Sequence, residues 1–166
     1  MDNFDLRKYL AEGKLFEEDI ASKAVSVLKS YKYALLSNRE DLFIFTQEEF
    51  DDYIETIAEG DDISKKEALD FVKENEYLKE LPNSPYLIIL ANDESVMFLE
   101  ANSKKEFVET VYTEFTGEPK FKGDIDKYFQ KILKSANRSE IDGDSAYAEV
   151  VIENGKIVAG PPDFLK

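Results

Sequence analysis

The chain has 166 residues with 36 acidic and 21 basic side chains, a formal charge of −15, and neither cysteine, histidine nor tryptophan. Those absences exclude disulfides, ordinary zinc sites, histidine-ligated haem and any nucleophile that needs a Cys or His partner. The 43% hydrophobic and 13% aromatic content argues for a packed core, and no apolar run is long enough to span a membrane.

In chain order, Met1 to Lys14 is polar and ends near Gly13, so residues 1–15 read as an N-terminal arm or docking turn. Residues 16–166 read as a single α+β domain. From Phe16 the spacing is helical, with Ile20, Ala21, Ala24, Val25 and Leu28 on one stripe. Tyr33–Leu36 and Leu42–Phe45 then flank a polar turn and predict a hairpin. Thr46 with Glu49 is a capping box, opening a helix that Gly60 should stop. Ser64 with Glu67 opens a second, expected to run to about Leu81 before Pro82.

The pattern recurs. Tyr86–Leu90 and Val96–Leu99 predict a second hairpin, and Ser103 with Glu106 a third capping box and a helix stopped by Gly117. A further helix starts at Asp124, and Asn154-Gly155 joins a last hairpin. The order α-ββ-αα-ββ-αα-ββ predicts an α+β fold, with amphipathic helices packed on a mostly antiparallel sheet built from three β-hairpins. Residues 33–60 and 86–117 align as candidates for an internal duplication, with Asn38 set against Asn92 and Phe50 against Phe107. The same local rules acting twice would also produce that likeness.

Charge is unevenly spread. Residues 38–62 hold ten acids and one base, whereas residues 102–138 hold eight bases and six acids. Glu48, Asp52, Glu55, Glu59 and Asp62 are spaced 4, 3, 4 and 3, which lines them along one helix face with neighbours about 5–6 Å apart. Such a row can satisfy the Lys and Arg contacts of a nucleic-acid-handling enzyme; it is equally what the solvated face of an amphipathic helix looks like. Lys127, Lys131, Lys134 and Arg138 form an opposite row, a candidate contact for an anion or partner, with no aromatic residue expected on that polar side.

Carboxylates are the remaining catalytic material. Asp142 and Asp144 are weak candidate metal ligands in a turn that lacks an EF-hand pattern. Ser26-x-x-Lys29 matches a nucleophile motif by letters only, and no glycine-rich phosphate loop is present. No catalytic residue and no cofactor is assigned, and the chain reads as a binder before an enzyme.

The opening Phe4-Asp5-Leu6-Arg7-Lys8-Tyr9-Leu10-Ala11-Glu12-Gly13-Lys14-Leu15 resembles the N-termini of small uncharacterised proteins of marine bacteriophages. The resemblance implies a phage accessory protein, in the cytoplasm of a bacterial host or in the virion, and carries no chemistry. The resulting expectation is an acidic protein-binding module for a basic partner, such as an inhibitor of a host nuclease or defence protein, touching neither membrane nor duplex DNA. The alternatives are an assembly protein forming homo-oligomers and a carboxylate-based metal or nucleotide binder.

Overall fold

The computed structural model describes residues 31–39, 41–139 and 148–164. The N-terminal arm and first helix lie outside them, as do Ser26, Lys29, Asp142 and Asp144.

The first half runs β1 (Tyr31–Ser37), β2 (Asp41–Thr46), α1 (Gln47–Asp61), α2 (Lys65–Asn75) and β3 (Tyr77–Glu80). The second runs β4 (Tyr86–Ala91), β5 (Val96–Ala101), α3 (Lys104–Thr116), α4 (Ile125–Arg138), β6 (Ala148–Glu153) and β7 (Lys156–Ala159). This is an α+β fold with every strand pair antiparallel. The strands divide over two sheets, of order β2-β1-β3 and β5-β4-β6-β7.

Alternation along the central strands explains the layering. Ala34 and Leu36 of β1 point to one side, where they join Leu42 and Ile44 of β2 and meet Leu87, Ile89, Val150 and Ile152 of the other sheet. Leu35 points the opposite way, into a cluster with Phe50, Ile54, Ala68 and Val72 of α1 and α2. Ile88, Leu90 and Val151 likewise leave the second sheet's outer face to pack on Phe107, Val111, Phe129 and Ile132 of α3 and α4. The two sheets therefore stack face to face, and each carries a helix pair outside it, giving four layers. Both halves place their third strand beside the first, on the side away from the second. Tyr33 and Tyr86 are equivalent in this arrangement, each resting on the phenylalanine of the following helix, Phe50 or Phe107. Setting Asn38 against Asn92 would instead put Leu35 opposite Ile89 and exchange outer for inner faces.

The local signals account for most boundaries. Glu49 N–H donates to Thr46 Oγ1 at 3.2 Å and Thr46 N–H to Glu49 Oε2 at 2.8 Å, a reciprocal box that Ser64 and Glu67 repeat. At the third helix Ser103 accepts from Glu106 N–H, but the Glu106 carboxylate takes the Asn102 N–H instead of completing the box. Two expected ends move. Gly60 lies inside α1, which continues to Asp61. Asp62 then turns left-handed (φ 53°), and the N–H groups of Asp62 and Ile63 both reach the Ala58 carbonyl. The helix expected to run to Leu81 stops at Asn75, because Tyr77–Glu80 pairs with β1 as the edge strand β3.

Candidate functional site

The two outer helical layers differ in charge. Over residues 47–76, spanning α1 and α2, there are twelve acids and three bases; over 104–138, spanning α3 and α4, there are six acids and eight bases. Stacking of the sheets puts these layers on opposite sides of the molecule.

On the acidic side Glu48, Asp52, Glu55 and Glu59 are all exposed along α1, opposite its buried Phe50, Ile54 and Ala58. Asp62, the fifth member expected, sits beyond the helix as its left-handed cap and leaves the row. Glu55 is engaged by Lys65 Nζ at 2.9 Å, and that bond raises the Lys65 pKa, with Asp51 and Glu59 adding to it. Glu48, Asp52 and Glu59 make no ion pair among the described residues. The row is thus exposed but not wholly uncompensated.

Above the acidic layer, at the far end of β1, Ser37 Oγ donates to Glu76 Oε1 at 3.1 Å. Phe43 stacks on Phe45 at 5.6 Å there, and Tyr53 packs on both rings. The rings form an apolar corner with Phe43 partly open, beside the Ser37–Glu76 pair, where Glu76 Oε2 is buried with no hydrogen-bond partner among the described residues.

On the opposite side Lys127, Lys131, Lys134 and Arg138 are exposed along α4 and make no ion pair among the described residues. Three of them border an open groove of about 620 Å³, together with Phe121, Tyr128 and Gln130. The expectation that no aromatic residue shares this side is corrected: Tyr128 lies half-buried at the groove, with Lys131 Nζ 5.6 Å from its ring centre. Phe121, Tyr128 and Tyr112 form a three-ring cluster with centroids 5.0–5.6 Å apart. A Cβ at Gly123 would come within 2.7 Å of the Phe121 ring, so only glycine lets that ring lie back on the chain. Asp124 caps α4 by accepting the Lys127 N–H at 2.8 Å.

A second groove of about 390 Å³ adjoins the first, and its lining includes Lys131, Ser135 and Glu149. Glu149 is 5% exposed, and its backbone is tied to Ser139, which accepts the Glu149 N–H at 2.8 Å.

Burial also raises the pKa of several tyrosines above 10. For Tyr128 burial comes first and Tyr112 second; for Tyr86 burial is followed by the Glu153 carboxylate that its hydroxyl contacts at 3.2 Å; Tyr53 and Tyr31 shift the same way. The native fold therefore keeps these protons above the pH at which the unfolded chain loses them, and stability must fall as pH rises through that range. With no histidine, urea midpoints should be nearly flat from about pH 6 to 9 and decline above about 10. A midpoint that stays level to about pH 11.5 would contradict the tyrosine burial described here.

Among the described residues no group of three or more Asp or Glu side chains is placed to hold a metal ion. No described helix is long and apolar enough to cross a membrane. No family model, curated protein or solved structure matches the chain.

Proposed function

We propose that the protein is a binding module whose acidic helical layer docks on a basic surface of another protein. The observation that carries this is the exposed carboxylate row of α1, set in a layer of twelve acids and three bases, where only Glu55 has a basic partner among the described residues. Like charges three and four residues apart cost a helix a few tenths of a kcal/mol per pair. A row that bears this cost on a rigid, packed helix is pre-organised for a partner rich in Lys and Arg. Enzymes that grip phosphate backbones have such surfaces, so occlusion of a nuclease or a nucleic-acid-sensing defence protein suits this layer, and the phage-like opening residues agree with it. In this reading the docking is non-catalytic.

The triple variant D52K/E55K/E59K should fold as the parent does, since all three side chains are exposed. Parent and variant are to be immobilised in parallel, exposed to extract of the source cells, and any retained protein purified for calorimetry. The parent should retain a basic protein whose affinity drops steeply between about 0.05 M and 0.5 M salt. The variant should retain none of it. Equal binding by the two forms rules the reading out.

A further inference from the structure

The row on α4 repeats the row on α1. Glu48, Asp52, Glu55 and Glu59 stand at spacings of 4, 3 and 4; Lys127, Lys131, Lys134 and Arg138 stand at the same spacings with the opposite charge. Each row covers twelve residues of helix, eleven steps or about 16 Å, within a narrow arc of the surface. The two rows belong to opposite outer layers, with both sheets between them, so they cannot meet within one molecule.

From this complementarity we propose that the groove and basic row of α4 form a second docking site, whose occupant is the acidic face of α1 from another copy of this chain. Four carboxylates can then lie against four cations in one register. The apolar floor from Phe121 and Tyr128 lowers the hydration of the lysines beside it and favours a close, specific contact over a diffuse one. A long polyanion is a poorer occupant, because the whole molecule carries −15. The contact joins unlike surfaces, so each copy keeps one free acidic and one free basic face. Assembly therefore proceeds head to tail, into a ring if the rotation closes and a filament if it does not. The inference rests on the reading of the α1 row as a docking surface, and narrows one of its partners to the chain itself.

Sedimentation velocity on the full chain, over a concentration series, tests it. At about 0.02 M salt the parent should form species larger than a monomer, and association should weaken roughly tenfold or more by about 0.5 M. K127E/K131E/K134E/R138E should remain monomeric, as should E48K/D52K/E55K/E59K. A mixture of the two should associate. The chain carrying all eight changes keeps the parent's formal charge of −15 and should recover self-association, which a general charge effect would not produce. Should a reversed variant misfold by circular dichroism, the neutral set K127Q/K131Q/K134Q/R138Q replaces it and should also be monomeric. A parent that stays monomeric at low salt overturns the proposal, as does an assembly that survives either set of changes. The α4 variants keep the acidic layer intact. If they still bind a basic protein captured by α1 while the parent never self-associates, this inference alone falls.

Discussion

Ile89→Asp should leave the chain without a cooperative fold. Ile89 is completely buried at the middle of β4, flanked by Phe98 of β5 and Val150 of β6, and it faces the other sheet. An aspartate there would carry its charge into an apolar layer formed by Ala34, Leu36, Ile44 and Val150. An unpaired buried charge costs several kcal/mol, and removal of the isoleucine adds about 2–5 kcal/mol more. A domain typically has only about 5–15 kcal/mol in total. Ile89→Val is the control and should cost about 0.5–1.5 kcal/mol. Urea unfolding followed by tyrosine fluorescence and circular dichroism reads both. The milder Ile89→Ala carries further information. If the inner layer is shared as described, it should lower a single transition common to both halves. Two separate transitions, only one of them shifted, would mean that each half folds alone.

Much of this architecture was legible in the sequence because its signals are local. Thr46, Ser64 and Ser103 start helices through hydrogen bonds made within four residues. Asn154-Gly155 takes the two positive φ values that its hairpin requires, 50° and 77°. The division into two sheets was less apparent, although Ala34-Leu35-Leu36 and Leu87–Leu90 are continuous apolar runs, which is how strands covered on both faces read. Strand β3 was hidden because Asn75 and Glu76 are no helix breakers; what ends α2 there is the pairing offered by β1.

The candidate surfaces divide in the same way. The carboxylate and lysine rows are properties of single helices, so their spacing alone displayed them. That they occupy opposite outer layers follows only from the stacking of the sheets. The groove beside the lysines needs Phe121, which precedes the helix, to fold against Tyr128 within it, and Gly123 was the one local sign that a ring lies close to the backbone. Lys65 was not counted with the acidic row because it belongs to the next helix, yet it reaches back to Glu55 across the α1–α2 turn. An acidic stripe read from one helix thus overstates its free charge whenever the neighbouring helix begins with a lysine.

Phe107→Ala should cost about 3–5 kcal/mol, in the upper range for a single truncation. Phe107 has no exposed surface and sits where α3 meets the outer face of the second sheet. Tyr86 and Phe129 enclose it, with ring centroids 5.8 and 5.9 Å away. Rings held by a strand and by a second helix cannot readily close over the space it would leave, so the cavity term should be retained nearly in full. Phe50 holds the corresponding place in the first half, four residues after its cap as Phe107 is after Ser103, and packs on Tyr33 and Phe45 at 4.4 and 5.9 Å. Phe50→Ala should therefore fall in the same range. For a chain of this length either loss should lower the thermal midpoint by roughly 10 °C or more. Neither phenylalanine reaches the outer surface, so the part of each variant population that remains folded should keep the charge rows of α1 and α4 and their binding. A loss below about 1 kcal/mol at either site would mean that the helix pair does not seat on its sheet as described. A large loss at Phe107 beside a small one at Phe50 would mean that the acidic layer is the looser of the two. In that case the α1 row would have to be ordered by its partner, and its affinity would carry the cost of that ordering.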